Sequence, residues 1–349
     1  MKKLYNKALL YQYYHSGKWA LILGSIIFAV ANYFGSIDSI NYLKFRISSL
    51  EGDRISRGSA FYIFVELFVL FMIYVLITGI NKRNNLTFLT SGPYSKEEIK
   101  KNQIIFLLIS LTILTLIYIY IYLCIYYRER EVLMISVGWL PTLIKDIIRL
   151  IVCGLAFISY LVLMDTLFSN SGITIFLIIF TPIVFIVDLS MCFYLSDVFK
   201  GYSLFPGEVG VFISKMLHIV SDYVLNYKNV VMIGHVEEIL AIILIIFATG
   251  IFFLLTWLIN KKLIINNINK FFNFKIVEKI FYWTFSFSIM LLITVIIASM
   301  YAVVYLQDIY FGQVRTINGT IIALSLIVGI GVIAAIFQRL IRKLMKKFI

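Results

Sequence analysis

Charge is scarce in this chain. Only 14% of its 349 residues are charged, against 61% hydrophobic, and the mean hydropathy is +0.96. A water-soluble core of this size is excluded by that balance. Cysteine is also rare: Cys124, Cys153 and Cys192 lie in or near apolar stretches, and no pair has metal-ligand or disulfide spacing, so they read as small buried hydrophobes. His15, His218 and His235 are far apart. No G-x-x-x-x-G-K-[ST] loop, H-E-x-x-H helix or G-x-S-x-G elbow occurs. His235-Val236-Glu237-Glu238 lacks the i, i+4 histidine pair of a metal helix and reads as a polar collar at the mouth of a span. The residues therefore point to no enzyme, and to no cofactor or metal held by this chain.

What the chain has in abundance is long apolar runs. A bilayer core about 30 Å thick needs roughly 20 apolar residues per helical span. Eight stretches qualify: Trp19–Ile37, Ala60–Ile80, Ile104–Tyr126, Ile147–Phe168, Ile173–Leu195, Glu237–Ile259, Trp283–Leu306 and Gly319–Gln338. The expected fold is an all-α, polytopic integral membrane protein, a single transmembrane domain over residues 1–349. Its two halves show the same order of spans and loops, which suggests a duplication without visible residue identity.

The basic residues orient it. With the N-terminus in the cytoplasm, inner segments carry Lys2, Lys3, Lys7 and Lys18; Lys82, Arg83, Lys96, Lys100 and Lys101; Lys261, Lys262, Lys270, Lys275 and Lys279; and Arg339, Arg342, Lys343, Lys346 and Lys347. Only Glu97, Glu98 and Glu278 oppose them there. That asymmetry predicts both termini in the cytoplasm of a bacterial cell membrane. The net charge of +13 is thus an excess on one membrane face, suited to anionic lipid rather than nucleic acid. Lys2, Lys3, Lys7 and the run ending Ala29-Val30-Ala31 imitate a signal peptide, but the basic region is too long and the segment is expected to be retained.

Several segments between spans have their own pattern. Leu4–His15 mixes apolar, aromatic and basic residues at helical spacing and suits an interfacial helix ahead of the first span. Val132–Pro141 is apolar but broken by Gly138 and Pro141, as an interfacial or re-entrant piece would be. Ser169–Gly172 is a charge-free turn that makes the fourth and fifth spans a hairpin. Val209, Phe212, Ile213, Met216, Val220, Tyr223, Val224 and Tyr227 form an apolar stripe predicting an outer helix that starts after Pro206-Gly207. Leu263–Phe274 alternates apolar residues with Lys and Asn, fitting a lipid surface or a partner.

The inner loop Asn81–Gln103 is the most informative soluble piece. Leu86, Phe88, Leu89 and Tyr94 are expected to be exposed, rimmed by charge, as at a docking site. Ser95-Lys96-Glu97-Glu98 spells a capping box, so a helix should start at Lys96 and run into the third span.

Acids inside spans must face protein or water. Glu66 and Asp188 lie several residues into theirs, where they would pair with a base such as Arg149 or line a pathway; Asp165, near a span end, is expected to reach the interface. In the last span, Ser325-x-x-x-Gly329 and Gly331-x-x-x-Ala335 read as close-packing sites.

Three features in this order resemble a permease subunit of an ABC transporter of the ABC-2 export type. They are the amphipathic segment Leu4–His15, the loop Phe88-Leu89-Thr90-Ser91-Gly92-Pro93-Tyr94-Ser95-Lys96-Glu97-Glu98-Ile99-Lys100, and the amphipathic segment between spans five and six. The resemblance covers roughly Leu4–Ile259; the commonest family form has six spans, so the seventh and eighth are extra. It implies that Phe88, Leu89, Pro93, Tyr94, Ser95, Glu98 and Ile99 form the coupling element that docks on a separate ATP-binding subunit. It implies too that ATP is bound by that partner, that a second permease subunit completes the pathway, and that a peptide, lipid or drug is exported. The alternatives are an ion-gradient carrier and a non-transporting membrane sensor or immunity protein.

Overall fold

A computed structural model describes residues 6–48, 61–78, 89, 92–131, 139–168, 170–198, 235–261 and 274–310, with short helical pieces at 215–217, 219–220 and 223–224 and residue 339. Seven helices carry the fold: α1 (Lys7–Ser48), α2 (Phe61–Thr78), α3 (Lys96–Arg128), α4 (Trp139–Leu167), α5 (Ser171–Val198), α6 (His235–Lys261) and α7 (Lys275–Tyr310). Each contains a stretch long and apolar enough to cross a membrane, and no strand occurs among the described residues. The protein is an all-α polytopic membrane protein. The eighth span, residues 319–338, lies outside the described residues, as do its small-residue pairs, Leu86, Phe88, residues 132–138 and the amphipathic stretch 262–273.

The chain divides into two compact units, Met1–Thr174 with Lys215–Ile264, and Ile175–Ser214 with Ile265–Ile349. The first holds α1, α2, α3, α4 and α6. In it α1 packs on α2 and α3, α4 on α6, and α2, α3 and α4 on one another.

The expected interfacial helix is not a separate element. From Lys7 the chain runs without a break into the first span, because nothing between Tyr5 and Trp19 interrupts helix formation and Gly17 is needed for packing rather than for a turn. One buried stripe, Leu9, Tyr13, Gly17, Ala20, Gly24, Phe28, Asn32, Ser36 and Ile40, follows the helix at steps of three and four. Its small residues allow close approach: a Cβ on Gly24 would stand 2.5 Å from Val69 Cγ1, and one on Gly17 3.2 Å from Ile77 Cγ1 and Phe106 Cε1. On the opposite side Trp19, Leu23, Ile26, Val30 and Phe34 are exposed, an apolar surface suited to lipid.

Pairwise contacts fix the helix directions. Tyr13 donates to the Ile99 carbonyl, and Lys44 pairs with Glu129 at 2.7 Å, so α1 and α3 run parallel. These contacts lie about 30 residues apart on each helix, roughly 45 Å at 1.5 Å per residue, close to the full bilayer with its headgroups. Gly17 and Gly24 meet Ile77 and Val69 in reverse order, so α2 runs back. On α4, Gly154 faces Leu111 of α3, again antiparallel. Lys145–Glu238 and the Tyr160–Phe252 ring pair set α6 parallel to α4. The spans of this unit alternate as a threaded chain must.

Local chemistry explains the helix ends. Ser95 caps α3 through its side chain to the Glu98 amide at 3.2 Å, and the Glu98 carboxylate accepts the Ser95 amide at 3.0 Å. This is the capping box expected from sequence, and α3 then runs unbroken to Arg128. Pro141 falls in the first turn of α4, where a missing N–H costs nothing. Asn170 opens α5, its side-chain oxygen accepting the Gly172 amide at 2.9 Å. Serines and threonines within the spans return their hydroxyls to carbonyls of the preceding turn, as Ser110 to Phe106 and Thr115 to Leu111, so they bring no unsatisfied group into the membrane.

In the second unit, α5 carries Pro182 in its interior and α7 starts at Lys275, eight residues before the expected span. Asp188 of α5 accepts a 2.6 Å hydrogen bond from Ser288 of α7.

Candidate functional site: two polar clusters in a helical bundle

Two groups of polar side chains interrupt the apolar interior of the first unit. They are separated by 16 residues on α4 (Arg149 to Asp165), about 24 Å at 1.5 Å per residue, so they sit toward the two sides of a hydrocarbon core about 30 Å thick.

The first is built by α2, α3 and α4. Asp165 of α4 is ion-paired with Lys100 of α3 and accepts the Tyr74 hydroxyl of α2 at 2.8 Å. Lys100 also donates to Gln103 Oε1 at 3.1 Å, and Gln103 reaches Thr78 of α2. Asp165 is 3% exposed, because a lysine one turn into α3 neutralises it inside the bundle, a structural role at the end of its span. Beside this pair, Asn102 Oδ1 accepts the Asn6 amide and Tyr13 holds the Ile99 carbonyl. The first two turns of α3 are therefore tied to α1, α2 and α4 at once.

That anchoring revises the loop ahead of α3. Leu89, expected to be exposed, is 6% exposed, and Ile99 is 3% exposed. Both side chains are consumed by packing inside this chain, since the first turn of α3 is already within the bundle. Pro93, Ser95 and Glu98 are exposed and Tyr94 is half-buried, so these residues form the accessible side of the segment. Phe88 lies outside the described residues.

The second cluster places Asp146, Arg149 and Cys153 on one face of α4, at steps of three and four. Asp146 accepts the Tyr62 hydroxyl of α2 at 3.1 Å and the Tyr118 hydroxyl of α3 at 2.7 Å. Arg149, 1% exposed, donates to the Val224 carbonyl at 2.7 Å and to the Tyr62 hydroxyl at 3.3 Å. Its guanidinium lies over the Tyr62 and Tyr223 rings at 5.9 and 5.7 Å. Burial raises the Tyr223 hydroxyl above its ordinary range, while the Arg149 charge opposes the rise. Arg149 thus holds residues 223–224, one described part of the amphipathic stripe expected between spans five and six. Tyr118, Tyr122 and Tyr126 continue along α3, the last two stacked at 4.0 Å. Lys145 and Glu238 close the rim, Glu238 being the one residue of the expected polar collar at the start of α6 whose side chain is described.

Glu66 stands one turn along α2 from Tyr62. It is fully buried, and neither carboxyl oxygen has a hydrogen-bond partner among the described residues. The pairing with Arg149 expected from sequence is not made, because Tyr62 and Val224 hold the guanidinium instead. Asp188 lies in the other unit on Ser288 rather than on a base.

Sequence reasoning passed over Asp146, Tyr62, Tyr118 and Tyr74, and took Lys100 only as one of the inner-face basic residues at the end of the loop. The signal was present in part: Tyr118, Tyr122 and Tyr126 recur every four residues, and Asp146 and Arg149 form an i, i+3 acid–base pair at the head of a span. Among the described residues no group of three or more His, Cys, Asp or Glu is placed to hold a metal ion.

No protein-family model, curated protein or solved structure matches the chain. The class defined by fold and site is a multi-span helical membrane protein with polar clusters inside a bundle.

Proposed function

We propose that this chain is the permease subunit of an ATP-driven exporter of the ABC-2 type. In this reading it sits in a bacterial cytoplasmic membrane with both termini cytoplasmic. It moves a hydrophobic or amphipathic substrate (a peptide, lipid or drug) using ATP hydrolysed by a separate ATP-binding subunit, with a second permease subunit completing the pathway. One observation carries the reading. The capped start of α3 emerges from the bundle with Pro93, Tyr94, Ser95 and Glu98 accessible, while Ile99, Lys100, Asn102 and Gln103 behind them are bonded to three other helices. A push on that segment by a partner is transmitted to α1, α2 and α4 rather than absorbed in a loose loop. A second reading, an ion-gradient carrier, is favoured by the buried carboxyl of Glu66.

Co-expression with the ATPase of an adjacent reading frame separates them. The permease reading expects the two to co-purify, and Phe88→Ala and Tyr94→Ala to weaken association at unchanged membrane expression. Leu89→Ala should instead destabilise the chain itself, by about 2–5 kcal/mol for a buried leucine. Proton-driven transport by the isolated chain in liposomes, with no ATPase bound, would refute it.

A further inference from the structure

One face of α3 is apolar and exposed along most of the helix. Ile109, Thr112, Leu116, Tyr120, Leu123 and Tyr127 follow one another at steps of three and four, all exposed, and the Thr112 hydroxyl is returned to the Leu108 carbonyl. The opposite face stays packed to the helix end, with Tyr118, Tyr122 and Tyr126 buried. The stripe is therefore a surface of the bundle and not a helix leaving it.

The bilayer covers only part of this stripe. α3 meets the first polar cluster at Lys100 and the second at Tyr118, 18 residues apart, about 27 Å at 1.5 Å per residue and close to the thickness of a hydrocarbon core. Tyr127 stands nine residues further on, about 13 Å past that level, whereas a headgroup layer is only about 5–8 Å deep. The exposed apolar face of α6, by contrast, begins at Ile239, beside the Glu238 that pairs with Lys145 at the level of the second cluster. On α4, antiparallel to α3, Leu140 and Ile144 are exposed at the height of the upper stripe. An apolar ridge thus continues without a break from the lipid-facing surface to a level beyond the headgroups, where leaving it bare to water is unfavourable.

The charges at its end say what covers it. Arg128 and Arg130 close the stripe, Arg130 with its guanidinium 5.4 Å from the Tyr127 ring centroid and within 3.5 Å of the Tyr127 hydroxyl. Glu129 is paired with Lys44, which leaves Glu131 as the opposing acid at this helix end. An apolar track that starts in lipid and finishes at exposed arginines matches a molecule with an apolar chain and a negative head. We propose that the stripe binds an anionic acyl amphiphile, its chain laid along Leu116, Tyr120, Leu123 and Tyr127 and its head at Arg128 and Arg130. This names a substrate class for the exporter and rests on that reading only in taking the amphiphile as cargo. The binding itself is tested without an ATPase, so each can fail alone.

The test uses the full chain in nanodiscs of zwitterionic phosphatidylcholine, with palmitate as the probe. The photoreactive residue p-benzoylphenylalanine replaces Leu116, Tyr120 or Tyr127, one at a time, and its adducts are identified by mass. These side chains are exposed, so the substitutions leave the packed face of α3 intact. At Leu116, phosphatidylcholine adducts are expected. At Tyr127, palmitate adducts should dominate, saturate with added palmitate and exceed those of uncharged hexadecanol about tenfold, the order of one charge-assisted contact. Arg128→Gln/Arg130→Gln should lower the palmitate yield at Tyr127 by a similar factor and leave the phosphatidylcholine yield at Leu116 unchanged. Phosphatidylcholine adducts as abundant at Tyr127 as at Leu116 would place bulk bilayer at this height and overturn the site. A cross-link from Tyr127 to a second copy of the chain, no palmitate adduct there, or a yield indifferent to the two arginines would overturn it equally.

Discussion

Replacing Lys100 by Met would leave Asp165 as a buried charge inside the bundle. Lys100 and Asp165 side chains are 11% and 3% exposed, so water screens the pair poorly. After the substitution Asp165 loses its ammonium partner and keeps the Tyr74 hydroxyl, and removing one member of a buried pair costs about 3–5 kcal/mol. The reverse change is milder. In Asp165→Asn, Lys100 retains Gln103 and can extend its ammonium toward the helix end, so the loss should be about 1–3 kcal/mol, that of a charged hydrogen bond. The double variant Lys100→Met/Asp165→Asn removes both charges and should cost less than the sum of the singles, with a coupling of about 3 kcal/mol. Equilibrium unfolding in mixed micelles measures all three against wild type. A loss below about 1 kcal/mol for Lys100→Met, the range of solvent-exposed pairs, would refute the reasoning, because the pair would then be a surface contact and not a tie between α3 and α4. Additive single and double effects would refute it equally.

Three further outcomes follow from the packing and the caps. Gly154→Ala places a Cβ 2.4 Å from Leu111 Cδ1 inside the bundle and should destabilise by about 1–3 kcal/mol, whereas Gly250→Ala, with nothing within 4 Å, should be neutral or stabilising in the same unfolding assay. Ser95→Ala removes the capping acceptor of α3 and should cost about 0.5–2 kcal/mol, seen as faster hydrogen exchange at the Glu98 amide with helix insertion unchanged. Cysteines at Asn84 and Asn267 should resist a membrane-impermeant thiol reagent in intact cells while one at Asn226 reacts; labelling of Asn84 from outside would overturn the charge-based orientation.

The sequence alone determined that this chain lives in a membrane and that its spans are helical. Lipid offers no hydrogen bonds, so an apolar run of about 20 residues has no other way to satisfy its backbone. The start of α3 was equally legible, because a capping box is a local contact between residues three apart. Boundaries were less so. Whether Lys7–His15 lies flat or continues the first span depends on what its Leu9–Tyr13–Gly17 stripe packs against, and only the bundle supplies α3 for it. Burial in the loop residues followed the same logic: Leu89 and Ile99 look like exposed anchors until the helices beside them are placed. Partner choice among the charges was decided by tertiary structure entirely. Asp165 meets Lys100 across 65 residues of chain and Asp146 meets Tyr62 across 84, separations over which composition and periodicity carry no information. The same folding left Glu66 enclosed with no hydrogen-bond partner among the described residues, while Tyr62 of its own helix and the Val224 carbonyl hold the Arg149 guanidinium.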